Sequence, residues 1–70
     1  MKKYLVITTY RTKDGKYCTE KIEHETFAEA ANEFNDNCAY IIGSTIWLDT
    51  ESNVIIRQFI RKYDGLVILK

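Results

Sequence analysis

Seventy residues with ten Lys and Arg, ten Asp and Glu and a net charge of zero suit one small domain whose partners are not chosen by overall charge. A hydrophobic share of 46% beside 29% charged residues excludes a disordered polyelectrolyte, and no apolar run approaches the ~20 residues of a membrane span. Two cysteines, Cys18 and Cys38, allow at most one bridge and match no metal-ligand spacing, so they read as reduced thiols of a cytoplasmic protein with no metal or other cofactor implied.

The apolar stretch after Met1-Lys2-Lys3 ends at Ile7, too short for the core of a secretory signal. Tyr4 to Thr12 is rich in β-branched and aromatic residues and predicts a strand. Lys13-Asp14-Gly15-Lys16 follows, and Asp-Gly between two such runs predicts a two-residue hairpin turn into a return strand from Tyr17 to His24. That turn sets Thr12 opposite Tyr17 and Ile7 opposite Ile22. Leu5, Ile7, Cys18 and Ile22 then share one face, and Tyr4, Val6, Thr8, Tyr10, Tyr17, Thr19 and Lys21 share the other.

Thr26-Phe27-Ala28-Glu29 is a capping box, with Glu29 also suited to the positive end of the helix dipole. Phe27, Ala30, Ala31, Phe34 and Cys38 recur at spacings of three and four and form one apolar stripe. Glu29, Asn32, Glu33 and Asp36 form the polar outer side, and Asn35-Asp36-Asn37 marks the expected stop after about three turns.

Tyr40 to Leu48 predicts a strand, Asp49 to Asn53 a turn and Val54 to Tyr63 the returning strand. Ile55/Phe59 and Ile56/Ile60 are also spaced for a helix that Ser52 would cap; the β-branched run Val54-Ile55-Ile56 decides for a strand. Asp64-Gly65 turns the chain into a last short strand, Leu66 to Leu69. The order ββαβββ predicts an α+β domain spanning residues 1–70, with one helix packed on a mainly antiparallel sheet.

Pairing Leu48 with Val54 puts Ile42, Ile46, Leu48, Val54, Ile56 and Ile60 on one face of the second hairpin. Its other face receives Ile41, Trp47, Ile55, Arg57, Phe59 and Arg61. Both faces are apolar and one helix covers only one of them. The expectation is an uncovered face of Trp47, Ile55, Arg57, Phe59, Arg61 and Tyr63 that docks a protein partner, since Trp, Tyr and Arg dominate binding hot spots. A one-residue slip would swap the two sets and leave the other apolar set exposed. Trp47 and Phe59 as plain core is the competing structural reading.

Charge is sorted along the chain. Residues 2–16 carry five bases against Asp14, residues 57–70 four bases against Asp64, and residues 17–56 eight acids against Lys21. The basic ends and aromatic strands give the alternative function, a single-strand nucleic-acid binder using Tyr4, Tyr10, Tyr17 and Lys21; the net charge of zero weighs against it. Arg57 and Arg61 share a face as either strand or helix, fit to clamp an anion or to answer Glu20, Glu23 or Glu25 across the sheet. The acidic helix face of Glu29, Glu33 and Asp36 is a second docking candidate. His24, flanked by Glu23 and Glu25, reads as a solvated strand end. No glycine-rich phosphate loop or activated nucleophile is visible, and a chain this short leaves little room for a catalytic pocket, so a non-enzymatic interaction module is expected. Self-association as a homodimer, by stacked sheets or by paired edge strands, fits so small a core; no membrane is expected as partner.

Overall fold

The computed structural model describes residues 3–12, 14–40, 43–62 and 65–68, the side chains of residues 40, 61, 62 and 65–68 excepted. Tyr4–Arg11 (β1) and Tyr17–His24 (β2) are strands, Phe27–Tyr40 is a helix (α1), and Gly43–Asp49 (β3), Val54–Lys62 (β4) and Gly65–Ile68 (β5) are strands. The fold is α+β in ββαβββ order, and residues 54–62 are extended rather than helical. All neighbouring strands are antiparallel, in the order β2-β1-β3-β4-β5. Since β2 and β3 flank β1, the chain must cross over β1 between them, and α1 makes that crossing. A 14-residue helix is ~21 Å long, close to the length of the strands beneath it.

The first hairpin is one residue out of the predicted register. Arg11 faces Tyr17, Tyr10 faces Cys18 and Ile7 faces Lys21. Thr12 N–H donates to Lys16 O at 2.7 Å and Gly15 N–H donates to Thr12 O at 3.0 Å, so the loop holds three residues rather than two. Gly15 has φ of 86°, the conformation that closes a three-residue hairpin and that glycine adopts without penalty. Because side chains alternate, the extra loop residue turns β2 over: Cys18 and Ile22 join Val6, Thr8 and Tyr10, while Tyr17, Thr19 and Lys21 join Leu5 and Ile7.

In the second hairpin Asp49 Oδ1 accepts from the N–H groups of Glu51 (3.0 Å) and Ser52 (3.4 Å), a side-chain-stabilised turn that ends on Asn53 at φ 55°. Asp49 therefore faces Val54 and Leu48 faces Ile55, one step from the expected pairing. The register shifts again between Trp47 and Leu48: Trp47 faces Arg57, and Ile56 is the extra residue of a β-bulge. The bulge moves Ile55 to the face of Ile46 and Leu48, and Ile56 packs against the core instead.

At the helix start Glu29 N–H donates to Thr26 Oγ1 (3.2 Å), as the capping box predicts; the Thr26 hydroxyl in turn donates to Glu29 Oε1 (2.8 Å). The helix does not stop at Asn35–Asn37. It continues to Tyr40 because Asn37 is held from outside, its Nδ2 donating to Thr8 Oγ1 at 2.8 Å, and because Cys38 packs against the core in the next turn. The chain then enters β3 at Gly43, where φ is 151° and a Cβ would lie 2.0 Å from Thr9 O. Only glycine lets β3 approach β1 there.

The core is Val6, Ala30, Phe34, Trp47 and Phe59, with Tyr4, Ala31, Cys38 and Ile56 packed around it. The helix thus covers the face that carries Trp47 and Phe59, reversing the sequence expectation that those rings are exposed. Trp47 and Phe59 each bury more apolar surface than any single aliphatic side chain of the opposite face. Ala30 gives the helix a shallow site above them, being fully buried itself. Thr8 and Thr45 are also buried on this face, and their hydroxyls bond each other at 2.9 Å. With Asn37 they make a small polar chain that leaves both hydroxyls partnered. The indole nitrogen of Trp47 is buried with no partner among the described residues.

Candidate functional site

The alternation that buries Val6, Thr8, Thr45, Trp47 and Phe59 under the helix fixes what lies on the far side. Leu5 and Ile7 from β1, Ile46 and Leu48 from β3, and Ile55 and Ile60 from β4 all point away from α1. All six are half-buried, and the only element outside the sheet among the described residues is on the opposite face. Registers across β1, β3 and β4 bring them into adjacent rows: Leu5 faces Leu48, Ile7 faces Ile46, and Leu48 faces Ile55. Ser44 and Gln58 interrupt the patch, and Thr9, Thr19, Lys21 and Glu23 border it on the β2 side, with Thr9 and Thr19 hydroxyls 3.1 Å apart. Antiparallel sheets that face water normally alternate to polar residues on that face. Here the rows are branched aliphatics.

Of the residues expected to form the docking face, only Ile55 lies on this open side. Trp47 is 5% exposed and Phe59 2%, both beneath the helix. Arg57 is exposed, opposite Trp47 on the helix side of β4. The side chain of Arg61 and the whole of Tyr63 fall outside the described residues, as do Ile41 and Ile42. An Arg57 answer to Glu20, Glu23 or Glu25 is ruled out by strand order: β1 and β3 separate β2 from β4, a gap of ~14 Å at the spacing of sheet strands.

The aromatic set proposed for nucleic acid is divided in the same way. Tyr4 and Tyr10 lie on the helix side, Tyr17 and Lys21 on the open side, so they form no common stacking platform. Tyr4 meets the Phe27 ring edge-on (6.0 Å, 85°), and Phe27 lies on Trp47 at 4.5 Å. Phe27 is 55% exposed and acts as the outer cover of Trp47 rather than as core. Tyr10 donates to Glu20 Oε1 at 3.1 Å, and that hydrogen bond raises the phenol above its usual range.

His24 is not a solvated end. Its Nε2 lies 2.5 Å from Glu33 Oε1, with both side chains largely shielded, and ties the end of β2 to the helix. Glu33 is thereby taken out of the acidic outer face, which leaves Glu29 and Asp36 exposed there. The spacing of His24 and Glu33 in sequence carries no signal for this contact; it follows from the helix crossing. Among the described residues no group of three His, Cys, Asp or Glu is placed to hold a metal ion. No helix among them is long and apolar enough to cross a membrane. Cys18 is exposed on β2 and Cys38 sits in the helix; they form no disulfide.

Comparison with protein-family models, with curated proteins and with solved structures finds no match to this chain.

Proposed function

We propose that the chain is a small, non-enzymatic, cytoplasmic interaction module, an accessory or inhibitory factor that docks on a larger protein through its open sheet face and that works as a homodimer. One observation carries this reading: Leu5, Ile7, Ile46, Leu48 and Ile55 make adjacent aliphatic rows, with Ile60 beyond Gln58, on the side of the sheet that no helix among the described residues covers. A solvated sheet face has no use for six such residues, and contiguous apolar surface of this kind marks interaction sites. The polar border of Thr19, Lys21 and Glu23 matches the apolar-core, polar-rim anatomy of interfaces.

The test is capture from a native extract with wild type, Ile46→Lys and Glu29→Lys, the last on the helix face. Partners kept by wild type and by Glu29→Lys but released by Ile46→Lys support the open face. Identical capture by wild type and Ile46→Lys overturns it.

A further inference from the structure

We propose that β2 is a dimerisation edge: it pairs antiparallel with β2 of a second copy about a two-fold axis at Ile22, joining two sheets into one. This deepens the self-association in the reading above and is independent of what the open face binds.

β2 ends the strand order, and every residue from Tyr17 to Glu23 is exposed. Its ladder with β1 runs unbroken over eight residues. It has no proline and no bulge, two of the devices that blunt an edge; its charges, Glu20, Lys21 and Glu23, blunt it only against a strand that does not match them. The hydrogen bond from Thr12 N–H to Lys16 O makes that pair a hydrogen-bonded one, and such pairs alternate along an antiparallel ladder. Cys18, Glu20, Ile22 and His24 therefore direct their N–H and C=O groups at β1. Tyr17, Thr19, Lys21 and Glu23 direct theirs outward, so an antiparallel copy must set these odd-numbered residues against one another.

That rule allows an axis at any residue of β2; axes at Tyr17, Cys18 or His24 lie so near a strand end that most of β2 would face a loop, which leaves Thr19, Glu20, Lys21, Ile22 or Glu23. Axes at Glu20, Lys21 or Glu23 place a charge against its own copy, which is unfavourable. An axis at Thr19 pairs Lys21 with Tyr17 and sets Ile22 against the hairpin loop. The axis at Ile22 is the complementary one. Lys21 then faces Glu23 twice and Ile22 meets itself, while Glu20 and His24 face each other with their bonds to Tyr10 and Glu33 kept. Ile22 is 42% exposed, one of four large apolar side chains left in water among the described residues, and this pairing covers it. Because Ile22 is not hydrogen-bonded outward, it meets its copy at a close pair, with Cα atoms ~4.5 Å apart. The open aliphatic faces of the two copies then lie side by side on one continuous sheet.

Light scattering over a concentration series tests the pairing, on wild type, Lys21→Glu, the swap Lys21→Glu/Glu23→Lys, and Ile46→Lys. All three positions, Lys21, Glu23 and Ile46, are on the sheet surface away from the core. Wild type is expected as a dimer, Lys21→Glu to dissociate at roughly tenfold higher concentration, and the swap to return to near wild type. Ile22→Cys in a Cys18→Ser background should cross-link to itself on oxidation, and Thr19→Cys in the same background should not. A wild type that stays monomeric overturns edge pairing and leaves open-face docking standing. A dimer indifferent to Lys21→Glu but lost in Ile46→Lys overturns it in favour of stacked open faces. Cross-linking through Thr19→Cys and not Ile22→Cys overturns the register.

Discussion

The two faces of one sheet hold similar numbers of apolar residues and are built on different principles. The helix side mixes sizes and chemistries: Trp47 and Phe59 beside Val6, with Thr8 and Thr45 hydrogen-bonded between them. A small residue, Ala30, and a large one, Phe34, descend from the helix to fit that relief. The open side repeats one shape, Leu or Ile, in adjacent rows. Uneven relief specifies a single partner, and this chain supplies it from its own helix. An even aliphatic surface specifies little by shape and suits a broad, flat contact. Apolar content alone therefore does not tell which side of a sheet is core.

Substitutions on the two faces should separate these roles. Phe59→Ala removes a ring that is 2% exposed and should cost about 3–5 kcal/mol in denaturant unfolding, enough to unfold much of so small a domain. Trp47→Phe keeps the packing against Phe27 and Phe34 and removes the unpartnered indole N–H, so its loss should be much smaller. If Trp47→Phe proves as harmful as Phe59→Ala, the indole has a partner that the helix-side account lacks.

Gly43→Ala comes next. Its Cβ would press on Thr9 O at 2.0 Å, so β1 and β3 must separate, at about 1–3 kcal/mol. Wild-type stability in that variant would show that the close approach is dispensable. Thr8→Val strands Asn37 Nδ2 and the Thr45 hydroxyl and should cost about 1–2 kcal/mol, with Thr8→Val/Thr45→Val costing less than the sum of the two singles. Ile46→Lys, on the open side, should stay within about 1 kcal/mol of wild type while abolishing partner capture. A large destabilisation by Ile46→Lys would make the open face part of the fold and erase the contrast.

The smallest effect belongs to the hairpin loop. Asp14 accepts from the Thr12 hydroxyl, and that bond lowers its carboxyl pKa from the ordinary 3.8. A depressed folded-state value means the contribution is present above pH 3.8 and is lost as pH falls through the lower folded value. Asp14→Asn should remove that slight acid sensitivity, seen by following hairpin amide signals in an acid titration; an unchanged titration would show that the loop bond is not formed in solution.

Much of the fold is legible in local chemistry. The β-branched runs, the capping box at Thr26–Glu29 and the 3–4 spacing of Phe27, Ala30, Phe34 and Cys38 act within a few residues, and each element lies near its expected place. The helix end was not legible, because the side chain that extends it past Asn35, Asn37, bonds to Thr8, 29 residues away in sequence. The candidate site was legible as a surplus of apolar surface and misplaced as a set of residues. Side-chain direction in a strand has period two, so one extra residue in the first loop and one in the Ile56 bulge reassign faces without changing a single strand. Which face the helix then covers depends on the fit of Ala30 and Phe34 over Trp47 and Phe59, a contact between distant parts of the chain. By itself the sequence determined the elements and the excess of apolar surface over what one helix can cover, because both are sums of local preferences. Only the tertiary structure decided which rows are buried and which lie on the open face, because that turns on register and complementary shape.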